Sequence, residues 1–399
     1  MRRTFFKTLF PSLTAAIFWT ILITPYAEGR VAVIPLPAIS TSRNGGVEVG
    51  NLTAILITDE KGEVKYIMAP SVTFNDITGV NFVYRLIGFQ EGGKTYQIVA
   101  GHSIDVDYEF SARYQDPKLL DGRYAYAVNV DYFRDTTYRF FGFTNQSVES
   151  DETNYTNGEL MGSASFGRNF NDFYRLSFTE RVRRVRIDQG KVGDLPFTGT
   201  IFPDAPGLGG AFILGERLSL TYDSRDDVAT TTAGKYGGVY AELAHDFDHN
   251  AAAFQKFGLD LRTWIPMAGK RYVTALRGRV ELTTGQRPFY EQSSLGGDNS
   301  LRDFGSQRFI DDHSILFNIE ERIDILKTTI FGITAEWEFA PFLDVGKVFS
   351  DFSQDFWQNY QVNPGIGFRA VVRPNVVGRF DFAYGPEGVT SFVGLGFPF

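Results

Sequence analysis

Arg271–Thr284 reads RYVTALRGRVELTT. Thr274, Leu276, Gly278, Val280 and Leu282 fall on one side of this segment, and Arg277, Arg279 and Glu281 on the other. Alternation with a period of two belongs to a β-strand. The pattern recurs on either side. In Phe257–Ile265 the residues Phe257, Leu259, Leu261, Thr263 and Ile265 oppose Asp260 and Arg262. In Ala335–Gly346, Trp337, Phe339, Leu343 and Val345 oppose Glu336, Glu338 and Asp344. A soluble sandwich also alternates, but rarely repeats so many strands with charge gathered on one continuous face. A barrel in lipid turns its apolar face outward and its charged face into a wet interior, and closure removes the edges that lipid cannot satisfy. The expected fold is all-β: a sixteen-stranded antiparallel transmembrane β-barrel.

The sixteen expected strands run from Val47–Thr58 to Val389–Phe399, with Thr95–Tyr114 read as one long strand. Most are near ten residues, which spans a bilayer when tilted. Turn lengths alternate. Asn75–Gly79, Asn169–Asp172, Met267–Lys270 and Arg373–Asn375 are short, whereas Thr144–Thr156, Asp188–Gly210 and Gly285–Ser314 are long. Short turns at the periplasmic end and long loops outside are the usual barrel arrangement.

Upstream, residues 1–29 carry the marks of a signal peptide: basic Arg2, Arg3 and Lys7, an apolar run from Leu9 to Ile23, and small residues at Ala27 and Gly29. Residues 30–44, with Pro35 and Pro37, read as a short periplasmic lead-in, and residues 45–399 as the barrel. The composition agrees, with 38 Phe, 19 Tyr and 41 Gly, which suits strands joined by turns. The chain has 0 Cys, which excludes disulfides, thiolate metal sites and cysteine nucleophiles. A net charge of −8 argues against nucleic acid as a partner. The expected partner of such a barrel is outer-membrane lipid; no cofactor is expected.

The long loop after Arg271–Thr284 carries Gly296, Gly297 and then Leu301-Arg302-Asp303-Phe304. Arg302 sits between apolar neighbours. An Arg that points into a protein interior must meet carboxylates, because its charge cannot be removed. Downstream, Asn318, Glu320, Arg322 and Asp324 alternate onto the charged face of one strand, and Asp344 lies on that face of the next. Glu320 and Asp344 are the candidate partners of Arg302, in forked geometry.

Four motifs in order resemble the BamA/TamA/FhaC-type outer-membrane barrel superfamily, the bacterial surface antigen family. They are Leu301-Arg302-Asp303-Phe304, Asn318-Ile319-Glu320-Glu321-Arg322, Asp344-Val345-Gly346, and the turn Tyr222-Asp223-Ser224-Arg225-Asp226. The resemblance implies that the Arg302 loop is the sixth extracellular loop and inserts into the lumen. Asp303 stands where the family has Gly. The family's periplasmic POTRA domains do not fit into so short a lead-in, so the expectation is a member without them. The chain ends in Phe397-Pro398-Phe399, which resembles the C-terminal signal by which such barrels are assembled. Val393, Leu395, Phe397 and Phe399 then share one face.

Other constellations carry less. His245, Asp246, Asp248 and His249, and likewise Asp311, Asp312 and His313, lack an evident full ligand shell, so no metal site is expected. The four His offer no Ser-His pairing, so no catalytic residue is expected. Arg175, Arg181 and Arg183 share a strand face and read as lumen-lining charge without a selective role. The resemblance implies protein insertion or translocation, with a protein client and a separate periplasmic partner. The alternative is a closed barrel acting as a passive pore or as a scaffold for an accessory protein. Gly394 and Gly396 suit a labile last strand.

Overall fold

The structure, a computed structural model, describes residues 31–399 apart from 43, 105–106, 331–332, 353 and 374–375. The expected signal peptide therefore lies outside the described residues. Among the described residues, nineteen strands form one antiparallel sheet. In chain order they are β1 (Val31–Ser42), β2 (Gly46–Thr58), β3 (Val64–Met68), β4 (Ser71–Asn75), β5 (Gly79–Phe89), β6 (Thr95–Ser103), β7 (Tyr108–Leu119), β8 (Tyr124–Phe140), β9 (Thr153–Asn169), β10 (Tyr174–Gln189), β11 (Ala211–Asp223), β12 (Gly234–Asp246), β13 (Ala252–Met267) and β14 (Tyr272–Gly285). After the long loop come β17 (His313–Ile330), β18 (Ile333–Phe349), β19 (Gln361–Val372), β20 (Val376–Gly385) and β21 (Gly388–Leu395). Two short strands inside that loop, β15 (Ser293–Leu295) and β16 (Phe309–Asp311), pair only with each other. β3 and β4 both pair with β2 and β5, so they are one arm interrupted at Ala69-Pro70.

Every other sheet strand pairs with its sequence neighbours, β14 with β17 across the loop. The in-and-out alternation is that of the sequence. On β13, Phe257, Leu259, Leu261 and Ile265 are exposed. On β14, Val273, Ala275 and Arg277 are buried on the opposite face. Exposed Leu218, Leu220, Val239, Phe317, Ile319, Ile366 and Phe368 continue the apolar outer belt around the sheet. In water such a belt would be costly at about 25 cal/mol per Å² of apolar surface; in hydrocarbon it is the matched face.

Two strand expectations change. Val31–Ser42 is not a lead-in but β1, paired along its whole length with β2, Ser42 opposite Gly46 and Val31 opposite Ile57. Thr95–Tyr114 is two strands, β6 and β7, paired as a hairpin. The sheet thus has two more arms than the sixteen expected. The Arg302 loop becomes the seventh connection at its end, still followed by five strands. The turn Asn75–Gly79 lies at the end that carries the long loops, not among the short turns.

The physical reason for misreading β1 is its prolines. Pro35 and Pro37 are two apart, so their missing N–H donors fall on one edge of the strand. Proline is confined to edges that carry no ladder. β1 pairs with β2 on one side, and on the other side it faces β21. β1 and β21 lie side by side with Cα atoms within 8 Å, yet no ladder joins them among the described residues.

Candidate functional site

Arg302 is buried, with a side-chain exposure of 1%. The loop around it is held by apolar packing first. Leu301 and Phe304 pack with Leu295, Phe309, Leu316 and Val348, and the Phe304 and Phe309 rings meet edge-on at 4.7 Å. Gly296 and Gly297 have φ of 120° and 92°, which only glycine adopts without strain. That turn lets Gly297 N–H donate to the Phe304 carbonyl at 2.9 Å.

The guanidinium then forks. Nε and Nη2 of Arg302 donate to the two oxygens of Asp344, both at 2.8 Å. Nη1 donates to Oε2 of Glu320 at 2.9 Å, and the backbone N–H of Arg302 reaches Asp344 at 3.2 Å. The Phe342 ring lies 3.4 Å from the guanidinium carbon. Burial opposes the charge on Arg302, but Asp344, Glu320 and Asp381 outweigh it, and the side chain stays protonated.

The pair is one link in a longer chain. Glu320 also accepts from Arg322 at 3.0 Å and Arg369 at 2.8 Å. Arg369 continues to Asp381 at 2.6 Å. Arg379 reaches back to Asp298, in the same loop, at 2.6 Å. Asn318 joins Asp344 to the Ser300 carbonyl. One loop is thereby bonded directly to β17, β18 and β20, and through Glu320 and Arg369 to β19. Asp303 is fully buried, and its carbonyl accepts from Thr390 Oγ1 on β21 at 2.9 Å. A Cβ on Gly385 would run into the Asp303 carboxylate and the Asn363 amide, both buried. Gly385→Ala is therefore expected to destabilise the barrel by about 1–3 kcal/mol, read as a lower urea midpoint for the folded, gel-shifted species.

A second anchor on the loop was missed in the sequence. Glu291 accepts from Arg181 at 3.1 and 3.0 Å, from Arg183 at 2.7 Å, and pairs with Lys256 at 2.5 Å. Arg181 also pairs with Glu242, and Arg183 with Glu159. Arg181 and Arg183 of the β10 ladder are thus neutralised from within. The signal was the ladder itself: buried cations require counter-charge. Above this anchor, Phe140, Tyr155, Phe254, Phe289, Tyr290 and Ile310 form an apolar cluster, with Phe197 and Phe202 packed on it. The long loops therefore fold inward.

At the opposite end the turn Ser224–Ala233 reaches across the barrel. Its Thr230 carbonyl accepts from Arg373 at 2.7 Å and its Thr231 carbonyl from Arg322 at 3.2 Å. Asp226 ties the turn together through Thr232, Ala233 and Lys270. Partial burial works against its charge, but these bonds hold its carboxyl well below the usual carboxylate range.

Phe397 and Phe399 do not continue the outer face of β21. That strand ends at Leu395, and Gly396, at φ 86°, turns the tail inward. Phe397 lies 3.4 Å from the Arg322 guanidinium carbon. Phe399 packs against Trp264, Val273 and Ala275. Gly394 leaves room for Arg379, whose Nη2 would lie 3.2 Å from a Cβ there. Elsewhere, His249 bonds Asp246 at 2.6 Å. No three metal-ligating side chains gather among the described residues.

The Omp85 superfamily domain matches residues 92–387. The chain belongs to the Omp85 superfamily. It is accordingly a barrel of the outer membrane of a Gram-negative bacterium. Among solved structures it is similar to BamA from Haemophilus ducreyi lacking POTRA domains 1–3, with TM-score 0.56, 13% identity, and coverage of 96% of this chain and 78% of that one. It is also similar to CdiB from Escherichia coli, with TM-score 0.56, 12% identity, and coverage of 91% and 66%. CdiB from Acinetobacter baumannii gives TM-score 0.51, 13% identity, and coverage of 92% and 65%. At these identities the likeness is one of fold. No curated protein sequence matches the chain.

Proposed function

We propose that this Omp85 barrel inserts or translocates a protein client through the seam between β1 and β21, with a separate periplasmic protein delivering it. The observation that carries the reading is the unladdered seam. Elsewhere each arm is held to its neighbours by a hydrogen-bonded ladder. At the seam, a strand carrying Pro35 and Pro37 faces a strand of only eight residues. Parting such a pair breaks few backbone bonds, so a client strand can add to either edge. The lumen-inserted Arg302 loop keeps β17 to β20 in register while the edge moves. Nothing is transformed covalently. The tail residues Phe397 and Phe399 serve as an assembly signal in this reading and fold inward once the barrel is complete.

A passive pore fits less well, because inward-folded loops, Glu291 and its cations, and the Ser224–Ala233 turn occupy the interior. The test is in-cell photocrosslinking from Val33 and Val393, both exposed on the seam strands. Capture of outer-membrane or exported proteins is the expected result. Adducts only between the two seam strands would contradict it.

A further inference from the structure

We infer that the short-turn end of the barrel holds the acyl chain of a glycerophospholipid from the surrounding bilayer, entering below the end of β21. A cavity of about 520 Å³ lies there, within the range of small-molecule sites. Its inner lining is apolar and includes Leu52, Leu56, Ile67, Trp264 and Phe399. The same cavity also touches Ala370, Val372 and Leu395. Those three lie on the outer face: Ala370 and Val372 alternate with buried Arg369 and Val371, and Leu395 is exposed. The cavity thus passes from the interior to the surface that meets hydrocarbon.

The reason is the short last strand. The β20–β21 ladder ends at Gly378 opposite Leu395. Beyond it, among the described residues, only Gly396 N–H bonds back, to the Val377 carbonyl at 2.8 Å. Ile34 of β1 lines the far side, so the wall here is made of side chains rather than of a ladder. An apolar cavity does not hold ordered water. One that is open to hydrocarbon is filled by what lies outside it.

The polar features at its rim fit the rest of the lipid. The Trp264 indole N–H is buried with no acceptor among the described residues, a donor that a lipid ester carbonyl satisfies. Arg225, whose guanidinium carbon is 5.8 Å from the Trp264 ring, and Arg262 also line the cavity. Both are already paired, with Asp223 and Asp260, so they offer a phosphate a polar rim rather than a bare charge. The inference rests on the cavity and not on any client.

Tryptophan fluorescence tests it. The chain has 4 Trp, and the substitutions W19F, W337F and W357F leave Trp264 alone. The full chain is folded into phosphatidylcholine vesicles with brominated or unbrominated acyl chains. Bromine quenches an indole in contact with it. The expected result is loss of Trp264 emission in the brominated vesicles, with recovery of that emission when Ala54→Phe fills the cavity. A folded, gel-shifted barrel in each case shows that the variants are comparable. Emission of Trp264 that is unaffected by bromine would overturn the inference. So would quenching that Ala54→Phe leaves unchanged, since that quenching would come through the barrel wall.

Discussion

Glu291→Ala is expected to lower barrel stability by about 3–5 kcal/mol, the cost of leaving buried charge without its partner. The Glu291 side chain is 1% exposed and answers three cations, Arg181, Arg183 and Lys256. Glu242 and Glu159 still compensate the two arginines after the substitution. Lys256 makes no other ion pair among the described residues and keeps only the more distant Glu281 carboxylate, so most of the excess charge falls there. Glu291→Gln keeps the shape and some of the hydrogen bonds, and an intermediate loss is expected. The measurement is the urea midpoint of the gel-shifted species in vesicles. Equal midpoints for wild type and Glu291→Ala would remove the second anchor from the account.

The pH dependence follows from the same cluster. Burial works against ionisation of Glu291, but Lys256, Arg183 and Arg181 outweigh it and hold its carboxyl well below the usual range. A carboxyl depressed on folding contributes stability that is full above its unfolded value of about 4.3. That contribution is lost as pH falls through the lower folded value. Wild-type stability from this group is therefore flat from neutral to about pH 5 and declines only in stronger acid. In Glu291→Gln that acid-sensitive part is absent.

Arg302→Ala is the second large effect. Asp344 loses both forked bonds and keeps Asn318, whereas Glu320 keeps Arg322 and Arg369. A loss of about 3–5 kcal/mol is expected, together with protease cleavage between residues 298 and 305 in an otherwise folded barrel. Arg302→Lys is expected to rescue little, because an ammonium cannot reproduce the fork that reaches two carboxylates. Combining Arg302→Met with Asp344→Asn is expected to recover part of the loss, since it removes the stranded carboxylate along with the cation. Wild-type midpoints and protease resistance in Arg302→Ala would mean the loop is held by its apolar contacts alone.

The sequence made the membrane barrel legible wherever charge and apolar groups alternate without interruption, as in β13 and β14. It also singled out Arg302, Glu320 and Asp344, because a fixed cation between apolar residues needs partners and those partners alternate on nearby strands. The missing parts have two causes: at β1 and in the β6–β7 hairpin the local pattern itself misled, while Glu291 and the tail depend on contacts distant in sequence. β1 carries prolines, which argue against a strand unless one knows that its edge is free. Glu291 lies 110 residues from Arg181, and no local pattern pairs them. The tail kept the alternation of β21 on paper, but the turn at Gly396 (φ 86°) broke it. Nothing local announced that Trp264 and Val273 would receive Phe399.

The sheet is held firmly from β17 to β20 by the Arg302 network and weakly between β1 and β21, where no ladder joins the strands among the described residues. Hydrogen–deuterium exchange of the barrel in a lipid bilayer tests this most directly, because amide protection reports the free energy of local opening. The expected result is rapid exchange in β1 and β21 against slow exchange in β17, β18 and β19, with Arg302→Ala reducing the difference by loosening the protected strands. Protection of β1 and β21 equal to that of β17 would contradict the account and mean that the barrel is closed.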